Sequence, residues 1–161
     1  MKKLIILALL SSLIYAKPVR VYVDVVGDLF HAGHVEFFKK AKACGDYLIV
    51  GIHDDEEVTE YKHRPYLSME ERRIAIEACR YVDEVIVNTP IGINEKWIKE
   101  HQIDLVIHGD DFTEANKNAH YAVPIKLGMF KTVPYTKGIS TTGIIERIRS
   151  RQLDEIAALG P

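Results

Sequence analysis

The sequence is poor in cysteine and carries no large excess of charge of either sign. Its two cysteines, Cys44 and Cys79, lack metal-ligand spacing, and we predict that both are small buried hydrophobic residues. The formal net charge is −2 and the basic residues are scattered, so nucleic acid is not expected as a partner. Repeats, low-complexity tracts and linkers are also missing. The 161 residues therefore predict one globular domain, large enough to bury its apolar surface without disulfides.

An apolar run lies near the N-terminus, at positions 4–14. Lys2 and Lys3 precede it and Ala16 follows, which gives the three parts of a secretory signal. The run is too short for a comfortable membrane span. Two interpretations of residues 1–16 stay open: a signal, or an apolar extension that packs on the domain or tethers it loosely. Residues 17–161 form the predicted domain.

Beyond Lys17 the pattern alternates between strands and helices. β-branched residues fill much of positions 19–26, and Ser68 with Glu71 forms the capping-box signature of a helix start. The alternation predicts an α/β fold with a central parallel sheet of about five strands and helices on both faces. Strands are predicted at 19–26, 47–52, 84–87, 105–108 and 132–134, and helices at 34–43, 68–80, around Trp97, at 116–127 and from 142.

Two histidines lie where the first strand leads into the first helix. His31 and His34 flank Ala32-Gly33, three residues apart, and we expect both rings on the same side beside free backbone N–H groups. A helix N-terminus favours anions and imidazoles donate to phosphate oxygens, so the pair indicates a polyphosphate site. No third ligand has convincing spacing for zinc, so no protein metal site is predicted. The alternative is two surface histidines at a helix start.

Polar residues also follow later strands, at the edge where ligands bind in parallel sheets. A loop is predicted at 51–55, and polar residues follow His108 directly. Three consecutive hydroxyl residues, from Ser140 to Thr142, open the last helix. One hydroxyl caps the helix and the others can face an anion, so this segment predicts a second phosphate cradle.

Three segments together give a resemblance to a known family. They are 28–34 (Asp-Leu-Phe-His-Ala-Gly-His), 80–85 (Arg-Tyr-Val-Asp-Glu-Val) and 138–142 (Gly-Ile-Ser-Thr-Thr). In this order and spacing the chain resembles the cytidylyltransferases that make CDP-choline, CDP-ethanolamine and CDP-glycerol. The resemblance runs from Val19 to about Ile148 and implies a Rossmann-like nucleotidyltransferase fold. The two histidines are shared with a wider superfamily, whereas the other two segments favour CTP over ATP.

The resemblance implies that a phosphomonoester attacks the α-phosphorus of CTP and releases pyrophosphate, with Mg²⁺ accompanying the triphosphate. Catalysis would then rest on alignment and charge stabilisation. The catalytic residues it implies are His31, His34, Lys62, Ser140 and Thr141. The nucleotide-binding positions it implies are Val26, Gly27, Asp28, Phe30, His108, Asp110, Tyr121, Thr136, Gly138, Ile139 and Thr142. For the second substrate it implies Asp28, Lys62, Tyr121 and Tyr135.

Two departures from the family pattern stand out. The family usually carries Arg-Thr before Gly-Ile-Ser-Thr, but this chain has Tyr135-Thr136. A phenol cannot replace the charge and the two parallel donors of a guanidinium, so either Arg64 or Lys137 takes over or activity is lower. The glycine that follows Asp24 in relatives is displaced to Gly27, which predicts a loop of different shape.

The second substrate is predicted to be a phosphorylated amino alcohol, phosphocholine or phosphoethanolamine. Residues 121–130 resemble the choline and ethanolamine enzymes more than the glycerol enzymes, although Ile91 stands where an aromatic residue is expected for choline. Alternatives are an adenylyl- or cytidylyltransferase for another phosphomonoester, such as glycerol 3-phosphate, and an impaired exported protein of the same fold.

The expected partners and compartment also follow from the resemblance. Residues Arg80–Val85 form a dimer contact in relatives, so a homodimer is expected. A nucleoside triphosphate substrate favours the cytoplasm. The signal-like residues 1–16 leave export open, and membrane association is expected only if that segment is an uncleaved anchor.

Overall fold

A computed structural model describes residues 17–158 of the chain. Residues 1–16, with their signal-like pattern, and residues 159–161 lie outside the described part. Strands and helices alternate through it. The strands are β1 (Arg20–Val25), β2 (Tyr47–His53), β3 (Glu84–Thr89), β4 (Leu105–Gly109) and β5 (Phe130–Val133). The helices are α1 (Ala32–Lys42), α2 (Asp55–Tyr61), α3 (Met69–Glu77), α4 (Glu95–Glu100), α5 (Glu114–Lys126) and α6 (Thr141–Ala158).

The described strands form one parallel sheet in the order β3-β2-β1-β4-β5. The chain first winds outward from β1 to β3, then returns to pair β4 with β1 and continues to β5. The direction of winding therefore reverses between β1 and β4. In parallel sheets the carboxyl ends of the strands at this reversal leave a crevice in which ligands bind.

Both faces of the sheet are covered by helices. Val21 and Val23 of β1 pack on one face with Phe38 of α1 and Ile76 of α3, all fully buried. Tyr22, which points the opposite way, packs on the other face among residues near α4 and α5: Ile93, Ile98, Ile103 and Tyr121. This alternation along a strand buried on both sides explains its continuous apolar run. The predicted α/β architecture is confirmed.

Several local predictions are confirmed and others are corrected. Ser68 forms the predicted capping box, with Glu71 accepting the Ser68 N–H at 2.8 Å. The loop predicted at 51–55 is wrong, because β2 extends to His53 and α2 begins at Asp55 after an Asp54 cap. Helix α2 has seven residues and a single buried apolar residue, Val58, so it lacks a repeating apolar pattern.

Two smaller corrections concern α3 and a cysteine. Helix α3 ends at Glu77 rather than near Arg80, because Cys79 and Val82 already make turn hydrogen bonds three residues back. Cys79 is buried as predicted. Cys44 is half-buried, with its Sγ 3.5 Å from the carbonyl oxygen of Lys40.

Candidate active site

A cavity of about 800 Å³ opens at the carboxyl ends of β1 and β4, where the winding reverses. Most of the residues singled out in the sequence line it, although they come from five separate stretches of chain. Those in the lining are Val26, Gly27, Asp28, His31, His34, Lys62, His108, Tyr121, Tyr135, Thr136, Ile139, Ser140, Thr141 and Thr142. Phe30, Asp110 and Gly138 lie outside the lining.

His31 and His34 form a capping box at the start of α1. The Nδ1 of His31 accepts the Gly33 N–H at 3.0 Å, and the Nδ1 of His34 accepts the His31 N–H at 3.3 Å. Two of the backbone N–H groups expected to be free are therefore already bonded. Because each Nδ1 is an acceptor, each neutral ring carries its proton on Nε2. Both Nε2 atoms are thus fixed as hydrogen-bond donors.

The two histidines are held in the neutral form. Burial, followed by the nearby His31, lowers the pKa of His34 to about 3, while Asp28 opposes the change. Burial also lowers the pKa of His31. The ring centroids are 4.0 Å apart, so a charge on one ring disfavours a charge on the other. At neutral pH the pair therefore offers N–H donors without positive charge.

Phe30 contacts His34 rather than the cavity. The two rings stack with centroids 5.5 Å apart and an angle of 9° between their planes. Phe30 also stacks on the buried Phe38 of α1, which ties the histidine to the core. In this structure Phe30 holds the orientation of His34.

Asp28 joins two loops with a buried carboxylate. Its oxygens accept the N–H groups of Leu29 at 3.1 Å, Tyr66 at 3.0 Å and Leu67 at 3.0 Å. The side chain is only 3% exposed. The segment between Lys62 and Ser68 is thereby fixed against the loop that follows β1. Although Asp28 borders the cavity, its oxygens are engaged with the chain itself.

The three hydroxyl residues at the start of α6 have different contacts. Ser140 caps the helix, since its Oγ accepts the Gly143 N–H at 3.1 Å. Thr141 donates its hydroxyl to the carbonyl oxygen of Asp28 at 2.9 Å. Thr142 also lines the cavity. The Thr141 bond brings the start of α6 against the histidine loop, so the two predicted phosphate cradles face one cavity.

Lys62 reaches the cavity from the C-cap of α2, a helix missed in the sequence. Its N–H bonds to the Val58 carbonyl at 2.9 Å, and its Nζ lies 5.6 Å from the centroid of the Tyr61 ring. The fully buried Arg72 holds the start of α2, donating to Asp55 and to the carbonyl oxygen of Val26. Arg72 thereby connects the helix that presents Lys62 to the end of β1.

Lys40 supports the loop between β5 and α6, which contains Tyr135 at the position where the resemblance predicts an arginine. Its Nζ donates to the Pro134 carbonyl at 2.6 Å and to the Thr136 hydroxyl at 3.3 Å. The backbone N–H of Tyr135 bonds to the Asp110 carboxylate at 2.8 Å, so Asp110 anchors the same loop from β4.

Three other residues of this region lie apart from the cavity. Gly138 makes the turn before α6 with φ 90°. Arg64, considered as a substitute cation, borders a separate acidic depression beside α2, and Lys137 is also absent from the cavity lining.

A polar cluster deep in the cavity was missed in the sequence. It is centred on Asp24, which is 3% exposed and accepts the Tyr121 hydroxyl on Oδ1 at 2.5 Å. Within residues 17–158, Asp24 Oδ2 has no hydrogen-bond partner. His53 approaches from β2, with Nε2 3.9 Å from Asp24 Oδ1. A buried carboxylate at a strand end is the sequence signal that could have identified the cluster.

Comparison with known proteins agrees with this geometry. The family model described as cytidylyltransferase-like matches residues 27–147. The chain is 43% identical over 135 residues to an ethanolamine-phosphate cytidylyltransferase of Arabidopsis thaliana, covering 80% of this chain and 32% of the relative. It is 41% identical over 135 residues to choline-phosphate cytidylyltransferase A of Homo sapiens, covering 82% of this chain and 37% of the relative. The chain thus spans about a third of the length of these curated relatives.

A solved structure extends the comparison to the fold. The lipopolysaccharide core biosynthesis protein of Thermoplasma volcanium superposes with a TM-score of 0.60 and 28% identity, covering 76% of this chain and 99% of that protein. A family match over most of the chain, on a cavity built from both predicted cradles, shows that the protein belongs to the cytidylyltransferase-like family.

Proposed function

We propose that this protein is a cytidylyltransferase that transfers CMP from CTP to a phosphorylated amino alcohol, such as phosphoethanolamine or phosphocholine. The observation that carries the proposal is the pair of neutral imidazoles, His31 and His34, with Nε2–H donors at a helix start beside the hydroxyls of α6. Donors from two helix starts suit a triphosphate. The names of the relatives given above support the proposed reaction and substrate class.

The proposed reaction is a single displacement at phosphorus. An oxygen of the phosphomonoester forms a bond to the α-phosphorus of CTP, and the bond from that phosphorus to the β-bridging oxygen breaks. The electron pair of the broken bond leaves with pyrophosphate. No covalent enzyme intermediate is required, so the protein contributes alignment and stabilisation of developing negative charge.

Each predicted residue has a part in this proposal that follows from its contacts. His31 and His34 donate from Nε2 to the triphosphate, and Lys62 adds the positive charge that neutral imidazoles lack. Ser140 and Thr142 face the phosphates from α6. Residues Val26, Gly27, Thr136 and Ile139 border the space for the nucleotide, and His108 lies where this space meets that for the second substrate. Asp28, Phe30, Asp110, Thr141 and Gly138 hold loops or rings in place.

Mg²⁺ forms part of the proposal as a companion of CTP. Among residues 17–158 no group of three or more His, Cys, Asp or Glu side chains is arranged to hold a metal ion. The ion would therefore be held by phosphate oxygens and water, as Mg²⁺ commonly is in nucleotide sites. It would neutralise charge on the triphosphate, which the uncharged histidines do not do.

The amino end of the second substrate is proposed to bind at Asp24. Asp24 lines the cavity together with Tyr121, whose hydroxyl holds Oδ1, while Oδ2 is buried and has no hydrogen-bond partner within residues 17–158. A buried carboxylate with an open oxygen stabilises a cation by charge and by hydrogen bonding. Tyr135, at the rim near α6, lies toward the phosphate side.

A homodimer through Arg80–Val85 also remains a proposal. Within this segment Asp83 bonds to the Leu48 N–H at 2.7 Å and to Lys42 Nζ at 2.6 Å, so part of it organises the monomer. Arg80 is exposed and available for a partner. Light scattering tests this directly, because a monomeric mass at assay concentration would contradict the dimer.

The compartment is proposed to be the cytoplasm, where CTP is found. In the described part of the chain no helix is long and apolar enough to cross a membrane. A fusion of residues 1–20 to a reporter that is active only after export distinguishes retention from export.

The reaction is tested by incubating the protein with CTP, Mg²⁺ and a panel of phosphomonoesters while pyrophosphate is followed. Pyrophosphate release with CTP and an amino alcohol phosphate is expected, and glycerol 3-phosphate is expected to react poorly. Preference for ATP would overturn the cytidylyl assignment. Absence of pyrophosphate with every pair would overturn the transferase assignment and support an impaired protein of the same fold.

A further inference from the structure

His53 has an imidazole whose proton is placed by the backbone of the neighbouring strand. Its Nδ1 lies 3.3 Å from the carbonyl oxygen of Thr89. A carbonyl oxygen can only accept, so Nδ1 is the donor and the neutral ring has a bare lone pair on Nε2. This is the opposite arrangement to that of His31 and His34, whose Nε2 atoms carry the proton.

An irregularity in the sheet creates this contact. The register between β2 and β3 shifts after Ile52, so that Thr89 rather than Asn88 stands opposite His53. Asn88 has a positive φ of 55°, which a non-glycine residue adopts at local cost. Bulges of this kind redirect the chain at the edge of a site. Arg72 contributes further by donating to the His53 carbonyl oxygen at 3.4 Å.

His53 lines the same cavity as Asp24, whose Oδ2 is buried and has no hydrogen-bond partner within residues 17–158. His53 Nε2 lies 3.9 Å from Asp24 Oδ1, too far for a hydrogen bond, and both residues line the cavity. A group that bridges them must donate hydrogen bonds to both atoms. A cation is favoured further because the Asp24 carboxylate is buried.

His108 adds a third acceptor of the same kind. Its Nδ1 lies 3.0 Å from the Gly109 carbonyl oxygen, so Nε2 again carries the lone pair. Its ring centroid is 5.6 Å from that of Tyr121, the residue that holds Asp24. Burial lowers the pKa of His108, and the nearby charge of Asp24 opposes this shift. The three acceptors therefore share one part of the cavity.

We propose that His53 is a specificity-determining residue that makes this site select a primary ammonium over a trimethylammonium group. This inference rests on the proposed function, because it concerns the amino end of the same substrate. A primary ammonium has three N–H donors, which match Asp24 Oδ2, His53 Nε2 and His108 Nε2 in number. A trimethylammonium group has none, and it would cover these acceptors while leaving them unpaired.

The lining around Asp24 agrees with this selection. Quaternary ammonium groups are recognised by several aromatic faces around the cation. Tyr61, Phe112 and Tyr121 line this cavity, but the Tyr121 hydroxyl is directed at Asp24, and Ile91 stands where an aromatic residue is expected for choline. The three polar acceptors favour the smaller, hydrogen-bonding cation.

The test compares phosphoethanolamine, its N-methylated derivatives and phosphocholine as substrates of the full-length chain at pH 8. For the wild type, kcat/KM is expected to fall stepwise with each methyl group. In His53→Asn the amide can still donate to Thr89 but no acceptor remains at the Nε2 position. We expect kcat/KM for phosphoethanolamine to fall about ten- to hundredfold, chiefly through KM, with little change for phosphocholine.

Two further variants make the test decisive. In His53→Gln the amide oxygen can occupy the Nε2 position, so the preference for phosphoethanolamine is expected to return. His101→Asn makes the same exchange at the end of α4, outside the cavity lining, and should leave the substrate ratio unchanged. Thermal melting establishes that the variants are folded.

The possible failures are distinguishable. A wild type that turns over CTP but prefers phosphocholine would overturn the role of His53 and leave the cytidylyltransferase proposal standing. The same conclusion follows if His53→Asn lowers kcat/KM equally for all of these substrates. A wild type that releases no pyrophosphate with any CTP pair would overturn the proposed function, and this inference with it.

Discussion

The Nδ1 of His34 accepts the backbone N–H of His31, while the two ring centroids lie 4.0 Å apart. This contact serves folding and chemistry together. It caps the first helix with an imidazole, and it leaves the other ring nitrogen as a donor toward the cavity. A protonated His34 would lose its acceptor and break the cap, so helix capping and the neutral state are coupled.

This coupling predicts that stability falls as the pH is lowered below 6.5. Burial lowers the pKa of His34 to about 3 in the folded protein, whereas histidine in the unfolded chain titrates near its ordinary value of about 6.5. Between these values the unfolded state binds more protons than the folded state. The free energy of unfolding should therefore decrease with falling pH, by up to about 1.4 kcal/mol per pH unit for this group. Urea denaturation at pH 7, 6 and 5 measures it.

His34→Asn serves as the control for this pH dependence. The Asn side chain retains an oxygen that can accept the His31 N–H, but it does not titrate. The slope of unfolding free energy against pH should therefore be smaller in this variant than in the wild type, while His31 and His108 still contribute. An unchanged slope would show that His34 is not the responsible group.

Two neighbouring arginines of α3 should differ sharply in their effect on stability. Arg72 is fully buried and donates to the carbonyl oxygens of Val26 and His53 as well as to Asp55. Arg72→Met leaves the two carbonyl oxygens without this donor, which costs about 1–3 kcal/mol for each group that stays buried and unpaired. The variant should also bind CTP poorly, because Arg72 holds the start of α2.

Arg73→Met is the matched comparison. Arg73 pairs with Glu70 and Glu77 on the surface of the same helix, where solvent screens the charges. Its urea midpoint should remain close to that of the wild type. Equal losses of stability in Arg72→Met and Arg73→Met would contradict a specific structural role for Arg72.

Asp28 should act on the substrates through the loop that it fixes. In Asp28→Asn the amide nitrogen faces at least one of the backbone N–H groups of Leu29, Tyr66 and Leu67, which the carboxylate accepts. The mispaired donor should lower the free energy of unfolding, measured in urea, by about 1–3 kcal/mol and should raise KM for both substrates. Asp46→Asn is the control, because the Asp46 carboxylate accepts the Val19 N–H in an exposed position far from this loop. A raised KM without any loss of stability would favour direct contact of Asp28 with a ligand.

Much of the fold could be predicted from the sequence because its signals are local. Most of residues 19–26 are β-branched because β1 is covered on both faces, and Ser68 with Glu71 encodes the start of α3. Helix α2 could not be predicted, since its seven residues bury only Val58 and it is held by Arg72 from another helix. Contacts between distant residues decide such short elements.

The same distinction applies to the site. The histidine pair and the hydroxyls of α6 could be predicted because each forms a short motif. Asp24, His53 and His108 form a cluster only because β1, β2 and β4 lie side by side, so their relation is absent from the linear order. The direction of each imidazole also depends on a backbone carbonyl, either Thr89 or Gly109, and the register of the strands fixes both contacts.

The last prediction concerns Tyr135, which stands where the resemblance predicts an arginine. Its side chain is 42% exposed and borders the cavity, while its N–H is held by Asp110. Lys40, the cation bonded to this loop, is engaged with Pro134 and Thr136. Tyr135→Arg adds a guanidinium at the cavity rim without disturbing those contacts. It should lower KM for CTP about five- to tenfold, because charge-assisted hydrogen bonds to phosphate are strong.

Two comparison variants separate geometry from charge in this prediction. Tyr135→Lys supplies the charge without two parallel donors, so its gain should be smaller than that of Tyr135→Arg. Tyr66→Arg adds the same group at a site that is 57% exposed and outside the cavity lining, and it should leave KM for CTP unchanged. Equal effects of Tyr135→Arg and Tyr66→Arg would indicate a general field of positive charge. An unchanged KM in Tyr135→Arg would mean that Lys62 and the two donor histidines already saturate the triphosphate.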